Sequence, residues 1–434
     1  MARRNGKART GLVGVLDVGS SKICCLIARL DSEGAPRVIG AGHQVSAGVR
    51  AGVIVDMESA EQAIRNAVHT AEAMAGETLR EVVVAATAGG PSSRRLDVDV
   101  AIDGQAVADT DLRRVQAQIA NSGDTGQVRA NGNGHANGTA RPDELEVVHA
   151  IPLGYTLDGQ RVDEPRGMHG ERLGAAAHLV SVRAGALRTL RTVVERCHLD
   201  IEQIVAPSVA AGLAALVEDE MDLGATVLDM GAGTTDICVF TDGRLVYADQ
   251  VPIGGSHVTN DIARGLSTPV AHAERLKTLY GSAMPGAHDD VDVVDVPQVG
   301  EPDAYAANHV PRSLLNSIIG PRIEETFELV RARLADSGAA PLAGRRLVLV
   351  GGASQLSGVR ELAALVLDKQ VRLGRPLRLR GLADALAGPA FAVPAGLIAF
   401  AAEHTGDYGV PTPFLTGEAD GLIGRVGSWL REHL

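Results

Sequence analysis

Apolar positions along the chain follow two periods, one near two residues and one near 3.6. Residues 11–30 read as a β-hairpin, two apolar strands about a turn at Gly19-Ser20-Ser21. Ala60, Ile64, Ala67, Val68, Ala71 and Met74 recur at helical spacing, and Gly76 is a stop signal, so a helix is expected over 61–76. The β-branched run Glu81–Ala88 reads as a buried strand, and 95–119 as strand, turn and helix. Strands resume at Glu146–Leu153. Helices are expected over 184–197 and, after Pro207, within Ile204–Val217. A second hairpin covers 225–241. Helices follow at about 257–265, 270–279 and 312–335, then a strand at Arg346–Val350 and a helix after Ser357.

Three stretches break the pattern. Asn121–Pro142 is rich in Gly, Asn, Ala, Thr and Asp. It has too little apolar surface to offset its ordering entropy, so a disordered loop is expected at 121–142. Ser282–Asn308 is acidic and poor in helix signals. Glu403–Asp420 reads as a Gly/Pro/Thr/Asp linker, and the last 14 residues turn apolar again.

Composition narrows the class. The 434 residues suggest two to four structural units. Hydrophobic residues at 45% and charged residues at 22% describe a globular chain, and with aromatics at 3% its cores must be built from Ala, Val, Leu and Ile. The net charge of −12 argues against nucleic acid as a partner. Cys24, Cys25, Cys197 and Cys238 contain no CxxC pair and read as buried reduced thiols. Asp17 interrupts the apolar stretch behind the basic start, so no secretory signal is expected. No window offers the roughly 20 apolar residues of a membrane span.

The chemistry lies in an internal repeat. Val15-Leu16-Asp17-Val18-Gly19-Ser20-Ser21-Lys22-Ile23-Cys24 is echoed by Val227-Leu228-Asp229-Met230-Gly231-Ala232-Gly233-Thr234-Thr235-Asp236-Ile237-Cys238, with a second turn that reads as two residues longer. Glycine lets backbone N–H groups approach phosphate oxygens. Ser and Thr hydroxyls add donors, Lys22 adds charge, and an Asp at each strand end suits Mg²⁺ through its water shell. Two such hairpins would grip a nucleotide from opposite sides. A single one is a common turn; two with shared flanks are not. Leu347-Val348-Leu349-Val350-Gly351-Gly352-Ala353-Ser354 adds a strand running into a turn flat enough to pack on a purine and ribose.

These three elements, in this order, resemble the actin-like ATPase superfamily, and most closely the bacterial cell-division FtsA family. Supporting stretches are Gly52-Val53-Ile54-Val55-Asp56, Gly254-Gly255-Ser256-His257-Val258-Thr259-Asn260-Asp261-Ile262-Ala263, Ala273-Glu274-Arg275-Leu276-Lys277 and the terminal Gly427-Ser428-Trp429-Leu430-Arg431. The resemblance implies an α/β, two-lobed actin-like fold with duplicated β-sheet domains, an inserted α+β subdomain and a C-terminal amphipathic helix. It implies ATP and Mg²⁺ as cofactors, with phosphate contacts from Gly19, Ser20, Ser21, Lys22, Gly231, Gly233, Thr234 and Thr235. Asp17 and Asp229 would serve the metal, and Glu274 and Lys277 the adenosine beside Gly351 and Gly352. Chaperone ATPases of the superfamily open one helix with Glu-Pro to position water. Here the stretch reads Val205-Ala206-Pro207-Ser208, and Ala206 has no polar group, so weak or no ATPase activity is expected.

On this reading residues 11–84 and 169–205, returning at 388–403, form the first-lobe core. Residues 85–168 form the insert, 206–250 and 320–387 the second-lobe core, and 251–319 its subdomain. Residues 404–420 would be the linker and 421–434 the membrane helix. Partners implied by the resemblance are the FtsZ C-terminal tail on 251–319, a filament of like subunits, and other division proteins. Among the arginines of 312–335, Arg312 and Arg322 at the subdomain boundary suit a peptide carboxylate.

On a helical wheel Leu422, Ile423, Val426, Trp429, Leu430 and Leu434 share one face, broken by His433; Arg425, Arg431 and Glu432 lie off it. Fourteen residues make about 21 Å of helix, too short to span the bilayer, so the tail is expected to lie in the membrane interface. The implied role is an ATP-binding protein at the division site on the cytoplasmic membrane face, polymerising there and anchoring FtsZ filaments. A pilus-assembly actin homologue and a sugar-kinase-type phosphotransferase share the superfold. The tethered tail argues against both, and no carboxylate base for a kinase is evident.

Overall fold

The computed structural model describes residues 10–87, 89–124, 145–300, 308–377 and 379–402. The expected linker and membrane helix at 404–434 lie outside the described residues. So does most of the loop expected at 121–142, whose first residues, 121–124, end a helix. Among the described residues one compact unit comprises Arg94–Ser181 and the other the chain on either side of it.

The larger unit begins with β1 (Gly11–Val18) antiparallel to β2 (Lys22–Leu30), and β2 antiparallel to β3 (Pro36–Val45). A short hairpin, β4 (Val49–Arg50) and β5 (Val53–Ile54), leads to α1 (Met57–Ala75), and β6 (Glu81–Ala85) returns parallel to β1. The ends of α1 are set by local chemistry. The Asp56 carboxylate accepts from the amides of Glu58 and Ser59 at 3.1 and 3.3 Å. Gly76, at φ 67°, closes the helix with its amide on Glu72 O. The apolar stripe packs Ala60, Ala63, Ile64, Ala67, Val68 and Ala71 inward. Met74, expected on this stripe, is 61% exposed, because Ala71 and Ala75 make the contact with Gly40 of β3.

The smaller unit is built from β7 (Ser92–Ala101), α2 (Asp109–Asp124), β8 (Leu145–Leu157), β9 (Gln160–Val162) and β10 (Arg172–Arg183). Its sheet runs β7-β10-β8-β9, over a core that includes Val100, Ile102, Val115, Leu173 and Leu179.

The chain then forms α3 (Ala184–Arg196) and β11 (Asp200–Val205), which lies parallel to β6 and completes the sheet β11-β6-β1-β2-β3. Within Ile204–Val217, Pro207 divides strand from helix. Ala206 before it is extended, at φ −64° and ψ 132°. The helix α4 (Pro207–Ala215) starts at the proline. Next come α5 (Glu218–Leu223), β12 (Ala225–Met230), β13 (Thr235–Thr241), β14 (Arg244–Val251), α6 (Gly255–Gly265) and α7 (Val270–Tyr280). Strands β15 (Val293–Val296) and β16 (Asn308–Pro311) form a small antiparallel pair within the acidic stretch. The remainder is α8 (Arg312–Asp336), β17 (Arg346–Val350), α9 (Val359–Leu367), β18 (Gln370–Leu373) and α10 (Ala392–Ala402).

The second large sheet runs β14-β13-β12-β17-β18. Its first three strands pair antiparallel and its last three parallel, the same arrangement as β3-β2-β1-β6-β11. The sequence repeat is therefore the visible part of a duplicated sheet, with β1–β2 and β12–β13 in equivalent central places. The helices α4 and α10, every described residue of which is buried except Ala402, cross between these sheet systems. At the crossing a Cβ on Gly396 would lie 1.7 Å from Ala210 O.

Candidate functional site

Strand pairing changes how the two hairpins align. Val18 pairs with Ile23 and Met230 with Thr235, so each turn holds four residues. In each, the first glycine donates to the fourth residue's carbonyl: Gly19 N to Lys22 O at 3.0 Å, and Gly231 N to Thr234 O at 2.9 Å. The second turn is thus no longer than the first. The two extra residues, Thr235 and Asp236, belong to β13. Asp17 faces Cys24 across its ladder, whereas Asp229 faces Asp236. The repeated Ile-Cys, read as a shared return strand, is offset by two places.

Asp236 is the site residue that the motif reading missed. It is buried, and its carboxylate accepts from Gln250 Nε2 at 2.9 Å and from Thr234 Oγ1 at 3.4 Å. Its signal was the acid following Thr-Thr, masked by alignment on the cysteine. Asp17 and Asp236 are therefore buried and Asp229 half-buried between them in the site, with Lys22 acting as a cation on Asp17 and Asp229. Burial pushes Asp229 up to about 8, with Asp236 and Asp17 adding to the shift and Lys22 opposing it. Burial likewise pushes Asp236 up to about 7 and Asp17 up to about 6, the latter moderated by Lys22. Two acids directly opposed on a ladder repel when both are ionised. Such a cluster suits a divalent cation. Among the described residues no group of three or more His, Cys, Asp or Glu side chains could hold a metal ion alone. Mg²⁺ is a cation that keeps several waters and takes one or two carboxylates with phosphate oxygens.

The hairpin tips meet. Ser20 Oγ accepts from Gly52 N at 2.7 Å. A Cβ on Gly233 would lie 2.6 Å from Ala51 Cα and 2.8 Å from Ser20 Oγ. The second turn is also tied to α6: Gly255 N donates to Gly231 O at 2.9 Å and Ser256 N to Ala232 O at 2.8 Å. Ser21 is exposed and Thr234 half-buried at the tips. Thr235 is buried and its hydroxyl donates to Ile253 O at 2.8 Å, so that side chain faces the fold.

Lys277 Nζ bonds Gly255 O at 3.1 Å, Thr259 Oγ1 at 2.8 Å and Glu274 Oε2 at 2.7 Å. Glu274 and Lys277 thus stand at the start of α6, beside Gly231 and Ala353. Gly351, at φ 86°, passes so close to β12 that a Cβ would sit 2.4 Å from Asp229 Oδ1; Gly352 has nothing within 4 Å of that position. The two glycines differ in purpose: one admits Asp229, the other leaves an open face. Gly351 thus meets Asp229, Gly233 meets Ser20, and Lys277 meets the start of α6 beside the second turn.

The two arginines do not join them. Arg312 Nε donates to Tyr280 O at 2.7 Å and lies 3.6 and 3.7 Å from the carboxylates of Asp289 and Asp292. It lines an open cavity of about 400 Å³ with His288, Glu361 and Ser357. Arg322 does not line this cavity; it pairs with Asp261 and Glu325. The cavity lies away from the hairpins, where the Asp17, Asp229 and Asp236 carboxylates and the glycine-rich turns are found.

Comparison with known proteins agrees with this architecture. The family model "Cell division protein FtsA" matches residues 226–396, and "SHS2 domain inserted in FTSA" matches residues 88–181. The cell division protein FtsA of Agrobacterium fabrum is 42% identical over 440 residues, covering 98% of this chain and 95% of that one. That of Escherichia coli K12 is 31% identical over 431 residues, covering 97% and 98%. Among solved structures, the PilM-PilN type IV pilus biogenesis complex matches with a TM-score of 0.62 at 16% identity, over 92% of this chain and 100% of that one. MreB5 of Spiroplasma citri bound to ADP matches at 0.53 and 13%, over 90% and 96%. These structures share the actin-like fold, and full-length identity separates the alternatives that fold leaves open: the chain belongs to the bacterial cell division protein FtsA family.

Proposed function

We propose that the chain binds ATP with Mg²⁺ between its paired hairpins, assembles into filaments at the cytoplasmic membrane face, and there anchors FtsZ filaments and helps recruit later division proteins. The observation that carries the nucleotide reading is the pair Asp17 and Asp229, at equivalent rungs of two equivalent hairpins, with the Lys22 charge acting on both. The amides of Gly19 and Gly231 are spent inside their own turns, so these glycines would admit the phosphates by lacking a side chain, while the Gly233 amide and the hydroxyls of Ser20, Ser21 and Thr234 would meet them; Thr235 would contribute its backbone. Asp17 and Asp229 would hold Mg²⁺ through water, and the ion would neutralise phosphate charge. MreB5 of the same fold was solved with ADP and with AMPPNP. Calorimetric titration tests the reading. Asp229→Ala should weaken Mg²⁺-dependent ATP binding at least tenfold, and an Asp17→Ala/Asp229→Ala protein that binds as well as wild type would refute the assignment.

Ala206 stands buried at the start of α4 without a polar group. Hydrolysis is accordingly expected to be feeble, and phosphate release at the rate of an ordinary kinase would contradict this.

For the FtsZ tail, Arg312 is the better-supported contact, because it lines a cavity and stands 3.6 and 3.7 Å from its acids, whereas Arg322 lines none and pairs at 2.5 Å with both Asp261 and Glu325. Reversing Arg312 to Glu should weaken a tail peptide about tenfold, the scale of one lost charge-assisted contact. Unchanged affinity after reversal of both arginines would remove them from the site.

Membrane attachment is proposed to reside in 421–434. Its basic and acidic groups nearly cancel, so insertion of the apolar face dominates over lipid charge. Each apolar side chain contributes at most roughly 1.5–3 kcal/mol, and ordering the tail costs about 1–2 kcal/mol per residue. A single tail is therefore weak, and filaments hold through effective concentration. Trp429→Glu should release the protein from sedimenting vesicles without lowering its unfolding temperature. Monomers unable to assemble that bind vesicles as tightly as filaments would defeat the avidity account.

A further inference from the structure

The Lys22 ammonium, although close to Asp17 and Asp229, is held by neutral groups. Its Nζ donates to Ala390 O and lies 3.6 Å from the centroid of the Phe391 ring. Among the described residues it forms no ion pair with any carboxylate; the two acids act on it through space. Phe391 is itself fixed. The His43 ring from β3 meets it edge-on, with centroids 6.0 Å apart and planes at 77°. The 3-10 turn Pro389–Phe391 is fastened from the other sheet as well, since Gly351 N donates to Pro389 O at 2.9 Å. One three-residue turn thus touches the lysine of the first hairpin and the glycine turn that follows β17.

We propose that the Pro389–Phe391 turn is a positioning element of the nucleotide site, with Phe391 holding Lys22 off the buried carboxylates so that its charge remains available to a ligand phosphate. The proposal rests on the nucleotide reading above. Lysine is a compact charge on a flexible four-carbon stem, so the hairpin alone does not set its direction. Left free beside Asp17 and Asp229, the ammonium would collapse onto one of them. That pairing would neutralise the lysine and also occupy a carboxylate wanted by Mg²⁺. A ring face and a backbone carbonyl attract the ammonium without neutralising it. Phe391 is therefore argued to act through Lys22 and not to touch the nucleotide.

The test is calorimetric titration of the full chain with Mg²⁺·ATP in five proteins: wild type, Phe391→Leu, Phe391→Tyr, Lys22→Met, and Lys22→Met/Phe391→Leu. Leucine keeps apolar bulk but removes the ring face, and should weaken binding roughly 5- to 30-fold, the range of a partly desolvated cation–ring contact. Tyrosine keeps the face and should bind within about twofold of wild type. In the Lys22→Met background, the leucine substitution should have no further effect. Wild-type affinity in Phe391→Leu overturns the proposal. So does an equal loss with and without Lys22, which would make Phe391 a packing residue only. If Phe391→Leu does not fold, Phe391→Met replaces it under the same criteria. Absence of Mg²⁺-dependent ATP binding in wild type would instead fell the nucleotide reading, and this proposal with it.

Discussion

Gly396→Val is expected to leave no folded protein. Gly396 sits where α10 crosses α4, and even a Cβ would lie 1.7 Å from Ala210 O and 2.3 Å from Ala210 C. These are backbone atoms of a buried helix, so no side chain can rotate to make room. The helices would have to separate, and α10 packs against β1, β2, β3 and β6 as well as α4. Overpacking by a methyl group typically costs about 1–3 kcal/mol, and backbone clashes lie at or above the top of that range. Gly396→Ala should therefore cost at least about 3 kcal/mol in urea unfolding, out of a whole stability of about 5–15 kcal/mol. Valine adds two methyls at the same place and should abolish soluble expression. Gly185→Ala in α3 is the control: its nearest neighbour is the Arg188 guanidinium at 4.0 Å, so alanine there should be neutral or stabilise by up to about 1 kcal/mol. A Gly396→Ala protein within 1 kcal/mol of wild type would show that the crossing tolerates separation.

Without nucleotide and with EDTA present, the protein should lose stability as pH rises from 6 to 8. Asp229 has its folded-state pKa pushed from 3.8 up to about 8, chiefly by burial. Between those values the folded chain keeps a proton that the unfolded chain has released. Stability therefore falls with pH, by up to about 1.4 kcal/mol per unit for this group. The loss begins near pH 4, is steepest through neutral pH and levels off above about 8. From Asp229 alone it amounts to roughly 2 kcal/mol between pH 6 and 8. Asp236, pushed up to about 7, and Asp17, to about 6, add to the lower part of the window. Asp229→Asn removes the titrating group and the repulsion across the ladder from Asp236. It should raise stability of the ligand-free protein at pH 8 and flatten its pH dependence, while weakening Mg²⁺·ATP binding. A wild-type midpoint that does not move between pH 6 and 8, or an unchanged slope in Asp229→Asn, would show that these acids ionise freely in the fold.

The opposition of these two effects has a functional sense. A site that is costly to ionise without a cation becomes favourable when one arrives, so ligand and fold are coupled through the same carboxylates. The stability of the ligand-free chain and its affinity for Mg²⁺ should therefore move in opposite directions when Asp229 is changed.

Local pattern was enough for most elements. The α1 helix was legible from its apolar stripe and the Gly76 stop, both local, although its start at Met57 behind the Asp56 cap precedes the expected 61. The hairpins β1–β2 and β12–β13 were legible for the same reason, and their likeness exposed the duplicated sheet. Where local pattern misled, strand register decided. Alignment on Ile-Cys made the second turn seem longer, yet ladder pairing places Thr235 and Asp236 inside β13 and sets Asp236 opposite Asp229. A sequence shows spacing along one strand but not which rung faces which, so a carboxylate at the centre of the site went unassigned.

The sequence by itself determined the fold class, the family and the position of both glycine-containing hairpin turns, because those depend on short segments whose conformations are settled by their own residues. Only the tertiary structure decided which of those residues are available for chemistry. Lys22 meets Ala390 and Phe391 from 368 residues away along the chain. Thr235 turns its hydroxyl to Ile253, and Gly351 is required because Asp229 comes within reach from another strand. Arg312 and Arg322, alike in the sequence and each beside two acids in the fold, part company because Arg312 borders a cavity and Arg322 does not. In each case the outcome depends on burial and on partners distant in sequence, and these exist only once the sheets have packed.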